Sequence, residues 1–143
     1  MDEERKEQME ALVQGNEFMT HNHIRLESVE QDRAVVALEI HPESKNPHNM
    51  VHGGALYTMA DNATGIAVHT DGRAHVTQNG QLHFLANQAE GTVRAIGWVR
   101  RRGRYTSLAE VDIVGDNGRL LATGQFSYFC ISEPRGGKAP EKA

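Results

Sequence analysis

At 143 residues with one cysteine, the chain is sized for a single domain and can form no intramolecular disulfide. A net charge of -4 at pH 7 and a pI near 6.0 argue against a general nucleic-acid binder, and no apolar run nears the roughly 20 residues needed to span a bilayer. The charged, acidic start MDEERKEQME is unlike a secretory leader, so a cytoplasmic protein is expected, bound neither to membrane nor to nucleic acid.

Residues 2 to about 19 predict a helix, with Met9, Leu12, Val13 and Phe18 as its apolar positions and Gly15 as a weak point. A strand from Ile24 to Val29 follows, then a β-rich run from Arg33 to Ile40. Residues 41–51 carry two prolines and two asparagines and read as a loop. From about Gly53 to Thr70 the sequence GGALYTMADNATGIAVHT predicts the main helix. Small residues cover nearly its whole circumference, as expected for a helix enclosed by other elements. Four strands are expected next, at His75 to Leu85, Thr92 to Arg101, Tyr105 to Val114 and Leu120 to Ile131. Their short links, Arg102-Gly103 and Asp116-Asn117-Gly118, predict hairpins and an antiparallel meander. Gly80, Gly97 and Gly124 inside strands mark bends or close backbone approaches. The tail from Glu133 to Ala143, polar and rich in Pro, Gly and Lys, is expected to be flexible.

The stretch from Asn46 to Asp61 carries the chemistry. A His52-Gly53-Gly54 turn opens the main helix, and Asp61 lies seven residues past Gly54, on nearly the same face. The free N–H groups and positive dipole end of a helix's first turn favour an oxygen that gains negative charge. One helix could therefore offer both an oxyanion site at Gly54 and a carboxylate base or nucleophile at Asp61.

This order of elements, with the HGG turn and an Asp nine residues after His52, resembles the hotdog-fold acyl-CoA thioesterases of the phenylacetyl-CoA thioesterase-like (PaaI-like) group. The resemblance runs from about residue 20 to 131 and implies an α+β fold: a long central helix wrapped by a curved antiparallel sheet of five to six strands. The chain then divides into an N-terminal helical segment (1–20), one hotdog domain (21–132) and the tail (133–143). The resemblance assigns Asp61 as the catalytic carboxylate and the Gly54 N–H as the donor to the thioester oxygen, with Gly53 allowing the tight turn. It makes His52 and Asn46 polar residues that shape the site, and it puts Thr77 near the acid, with Asn79 as the neighbouring candidate. It also implies a site built between two subunits, the glycine and the asparagine from one and the carboxylate from the other. The homodimer is then the minimal active unit, and the expected assembly is a homotetramer. Gly54 and Asp61 of one chain would in that case serve different sites.

The implied reaction is hydrolysis of an aryl or short- to medium-chain acyl-CoA to free acid and CoA, with no cofactor beyond the CoA of the substrate itself. Asp61 would deprotonate water or attack the carbonyl directly. No GxSxG occurs, which argues against an α/β-hydrolase. Tyr57 is expected along the acyl pocket. In the run Arg100-Arg101-Arg102-Gly103-Arg104, Arg102 and Arg104 flank the turn and suit the phosphates of CoA. Of the eight histidines, His48 with His52 and His21 with His23 are the close pairs, and neither has a third ligand at metal-site spacing, so no metal is expected. The competing reading is a non-catalytic acyl-CoA binding or sensing protein on the same fold. A hotdog enoyl-CoA hydratase is a third, and its carboxylate–histidine pattern is not found.

Overall fold

The computed structural model describes residues 1–132, so the expected flexible tail lies outside the described residues. Two helices come first, α1 (Glu3–Gln14) and α2 (Glu17–His21), where the sequence suggested one. The break falls at Gly15-Asn16, because the Asn16 side chain caps α2 by accepting the Met19 N–H at 3.0 Å. That restart buries Met19 and leaves Phe18 at the surface.

Strands β1 (Ile24–Glu30) and β2 (Arg33–Glu39) form a hairpin. After a loop comes α3 (Gly53–His69), then β3 (His75–Phe84), β4 (Thr92–Arg102), β5 (Thr106–Val114) and β6 (Leu120–Cys130). All six strands join one antiparallel sheet in the order β1-β2-β4-β5-β6-β3. This is the wrapped-helix architecture expected, with six strands. Asn117 and Gly118 both take positive φ in the β5–β6 link, as an Asn-Gly hairpin requires.

The core lies between α3 and the inner face of the sheet. Leu56, Met59, Ala60, Ala63, Ala67 and Val68 of α3 pack on Val36, Leu38, Val93, Ala95, Val111, Ile113 and Phe126. The approach is closest at Gly97, where a β-carbon would sit 2.7 Å from the Ala63 carbonyl carbon, a separation no side chain permits. Among the described residues, no helix is long and apolar enough to cross a membrane.

The C-terminal end of α3 is held by charge. A one-residue bulge at Arg100 shifts the β4–β5 register, so Arg102 pairs with Ser107 and points to the inner face. Its guanidinium donates to Val68 O at 3.0 Å, to Asp71 Oδ2 at 2.6 Å and to Asp32 Oδ1 at 2.7 Å. Cation, helix dipole and carboxylates are thus mutually satisfied. Asp71 also accepts from Arg73 and His75. Burial alone would raise the Asp71 pKa, but the His75 and Arg73 hydrogen bonds and the Arg102 charge outweigh it and hold the group well below the usual carboxylate range.

A group depressed in this way adds stability above its unfolded pKa of about 3.9, and that stability is lost as pH falls below it. Asp71→Asn should therefore cost on the order of 2 kcal/mol in urea unfolding at pH 7. The gap between variant and wild type should narrow as the pH drops below about 4.

Candidate active site

The loop before α3 is organised by Asn46. Its Oδ1 accepts the N–H groups of His48 (2.9 Å) and Met50 (3.1 Å), and its backbone N–H bonds Met50 O at 2.8 Å. The side-chain oxygen is therefore committed to the loop's own backbone, as an asparagine in a turn commonly is. His52 then caps α3, with Nδ1 accepting the Gly54 N–H at 2.8 Å. This fixes the ring's tautomer, with the lone pair on Nδ1 and the proton on Nε2. The Gly54 N–H, expected to be free for a substrate oxygen, is engaged by His52. Among the described residues it is the Gly53 N–H that has no acceptor. Tyr57, one turn on, is partly exposed and lies over Gly80 and against Phe126, with ring centroids 5.1 Å apart.

Two turns along α3 from Gly54, Asp61 sits in a cleft of about 560 Å³. Leu12, Val13, Asn16 and Glu17 of the N-terminal helices form one side. Ile66 and His69 of α3, His75, Val76 and Thr77 of β3, and Tyr128 of β6 form the other. The Thr77 hydroxyl donates to Asp61 Oδ1 at 2.8 Å, and the Tyr128 hydroxyl reaches the same oxygen at 2.8 Å. Asp61 Oδ2 has no hydrogen-bond partner among the described residues. Deeper in, the His69 ring lies between Gly65 O (2.7 Å) and the His75 N–H (3.1 Å), and burial lowers its pKa. A neutral ring with its proton on Nδ1 satisfies both contacts.

The structure brings Asp61 and Thr77 together and separates them from His52, Gly53, Gly54 and Asn46, none of which lines the cleft. Seven residues of helix put Gly54 about 10 Å from Asp61 along the axis, too far for both to touch one carbonyl. The picture of both groups acting on one substrate within a single chain is therefore corrected. Asn79 is displaced too. A bulge at Gln78 lets Thr77 pair with Tyr128 while Asn79 pairs with Ser127, so Thr77 faces α3 and Asn79 faces away. His83 and Gln81 share that outer face with Trp98, Glu110 and Gln125.

The two arginines flanking the β4–β5 turn part ways. Arg102, expected at a phosphate, is spent on the α3 carbonyls, Asp32 and Asp71. Arg104 is exposed, its guanidinium 5.3 Å above the Tyr105 ring. The histidines meet in a combination that spacing did not suggest: the His23 ring stacks on His41 at 3.9 Å and bonds Glu43 at 2.7 Å. These three lie close enough to be considered for a metal ion. The cluster is apart from the Asp61 cleft, which none of the three residues lines.

Sequence reasoning missed Tyr128 and the contribution of α1 and α2 to the cleft. The tyrosine had a signal: it alternates with Phe126 and Cys130 on the inner face of β6, and a buried tyrosine hydroxyl needs a partner. The helices had none, because docking them over Asp61 takes the whole fold.

Residues 48–122 match the model of the thioesterase superfamily. The acyl-coenzyme A thioesterase PaaI of Escherichia coli K12 is 30% identical over 96 residues, covering 66% of this chain and 69% of that protein. The solved structure of the E. coli PaaI protein from the phenylacetic acid degradation operon has the same fold, with TM-score 0.84 and 24% identity over 94% of this chain and 95% of that one. PaaI from Thermus thermophilus, a phenylacetic acid degradation protein, superposes with TM-score 0.76 and 27% identity over 80% of this chain and 98% of that one. The matched segment takes in the His52 turn, Asp61 and strands β3, β4 and β5, and the chain belongs to the thioesterase superfamily, as a PaaI-like hotdog-fold thioester hydrolase.

Proposed function

We propose that this chain hydrolyses acyl-CoA thioesters bearing an aryl or short- to medium-chain acyl group, with Asp61 as the reacting carboxylate. The observation that carries the reading is the clamp on Asp61: Oδ1 is held by Thr77 and reached by Tyr128, while Oδ2 is left unbonded in the cleft. A thioester is already activated, so a positioned base and an oxyanion donor suffice. Oδ2 takes a proton from water as the water attacks the thioester carbon and passes it to the departing CoA sulfur as the C–S bond breaks. Alternatively, Oδ2 attacks that carbon itself, expelling the CoA thiolate, and water then hydrolyses the acyl–Asp61 anhydride and supplies the thiol proton. Either route ends in free acid and the CoA thiol. Apolar Leu12, Val13, Ile66 and Val76 in the cleft suit an acyl tail.

The oxyanion donor in this reading is the first turn of α3 from a second copy. Two observations support a homodimer as the active unit. Gly54 and Asp61 of one chain are about two helical turns apart. And β3 lies at a sheet edge, with Val76, Phe84 and the adjoining Leu85 exposed. Gly53 presents its free N–H there, and Gly54 would share its own with His52. The resemblance extends the assembly to a homotetramer. At the cleft's end of α3, Arg104 is the exposed cation proposed to meet a phosphate of CoA, stiffened by Tyr105 beneath it.

Thiol release should be measured on acetyl-, octanoyl-, palmitoyl- and phenylacetyl-CoA with wild type and Asp61→Asn together. The variant should lose about 10²-fold or more in kcat on every substrate the wild type turns over. Undiminished turnover would overturn the assignment, and a folded wild type that binds acyl-CoA without releasing thiol would favour a sensor. Arg104→Ala should raise KM for acyl-CoA about 3- to 10-fold, the loss of one exposed phosphate contact. It should leave KM unchanged for the matching thioester of N-acetylcysteamine, which has no nucleotide.

A further inference from the structure

We propose that Tyr128 is a positioning residue for the reaction: its hydroxyl proton goes to Asp61 Oδ1 and, with Thr77, turns Oδ2 toward the substrate. This rests on the reading of Asp61 as the reacting carboxylate and adds a residue that neither the HGG–Asp pattern nor the strand after the helix contains.

The case begins with proton counting. The Tyr128 hydroxyl lies 2.8 Å from Asp61 Oδ1, 2.8 Å from Asp61 O and 2.7 Å from Thr64 Oγ1, and it has one proton to give. A charged acceptor draws that proton more strongly than a carbonyl or a hydroxyl. With the proton on Oδ1, the short contact to Thr64 is satisfied only if Thr64 donates to Tyr128. The Thr64 hydroxyl also stands 2.8 Å from the helix carbonyl of Ala60, and it gives that contact up when the Asp61 charge draws the Tyr128 proton away. Each hydroxyl proton is then used once, in a chain running Thr64 to Tyr128 to Asp61.

Burial keeps the donor in place. Tyr128 is 2% exposed, and burial followed by the nearby Asp61 charge pushes its pKa well above the usual phenol value. It therefore stays protonated throughout the neutral pH range. The helix makes room for it at Gly65, where a β-carbon would stand 3.3 Å from the hydroxyl oxygen. A glycine inside a helix is less stable than an alanine there, and here it lies over the hydroxyl that meets Asp61.

The clamp comes from two strands, Thr77 on β3 and Tyr128 on β6, paired directly across the sheet. Two donors on one oxygen fix the carboxylate's rotation and stabilise its charged form. The other titratable groups lining the cleft are Glu17 from α2, His69 from α3 and His75 from β3. None is within hydrogen-bond distance of the Asp61 carboxylate, so the hydroxyls are its direct partners.

The test is the pH dependence of kcat/KM for wild type, Asp61→Asn, Tyr128→Phe and Thr64→Val, on whichever of the four acyl-CoAs above turns over fastest, with thermal melts alongside. Removing a hydrogen bond to the charged form makes a carboxylate easier to protonate. Tyr128→Phe should therefore move the acid limb up by about one pH unit and cut kcat about 10-fold, with KM within about two-fold of wild type. Thr64→Val, which never touches the carboxylate, should move both in the same direction by a smaller amount. A purely structural tyrosine would lower the melting temperature and leave the limb where it was. An unmoved limb in folded Tyr128→Phe overturns the proposal, whatever happens to kcat. If Tyr128→Phe does not fold, an unmoved limb in Thr64→Val overturns it equally. Full activity in Asp61→Asn overturns the reading beneath it; a dead Asp61→Asn beside an unshifted Tyr128→Phe removes only the role of Tyr128.

Discussion

The structure depends on how closely α3 can lie on the sheet. At Gly97 the helix backbone at Ala63 is within reach of where a side chain would begin, and alanines at 60, 63 and 67 keep the rest of the contact thin. Only at that separation can strands on both sides of the helix curl over it and make contact. β2, β4 and β5 pack beneath α3, and β3 reaches Asp61 from the far edge through Thr77. A larger residue at the seam would lift the helix and pull Asp61 from the strand-borne hydroxyls before it exposed much apolar surface.

Placed this way, α3 has two polar ends with different tasks. At its C-terminus the carbonyls meet Arg102, which is neutralised by Asp32 and Asp71, so this end is closed. At its N-terminus the His52 ring takes one N–H and leaves the Gly53 N–H without an acceptor among the described residues, so this end remains open to an oxygen of a ligand. The carboxylate in between is held by hydroxyls rather than by cations. A neighbouring cation would pair with both carboxylate oxygens, whereas two hydroxyl donors on one oxygen orient the group and leave the other available.

Two single-residue bulges decide which side chains belong to which task. The one at Arg100 turns Arg102 inward to the helix end while Arg104 stays outside at the hairpin tip. The one at Gln78 keeps Thr77 inside and sends Asn79 out with Gln81 and His83. A run of polar residues on β3 that reads as one face under strict alternation is therefore split between the cleft and the outer surface.

What the sequence determined by itself is whatever is written locally. Small residues all round one segment specify an enclosed helix, Asn117-Gly118 specifies a hairpin, and His52-Gly53-Gly54 with Asp61 specifies a capped helix carrying a carboxylate. These follow from propensity, turn chemistry and helical periodicity, which act over a few residues. Tertiary structure decided the rest. It set Tyr128 and the N-terminal helices around Asp61, and chose between Arg102 and Arg104. The reason is parity: one extra residue in a strand reverses every side chain beyond it, and where that residue falls is fixed by how the strand fits its neighbours and the helix, not by its own sequence.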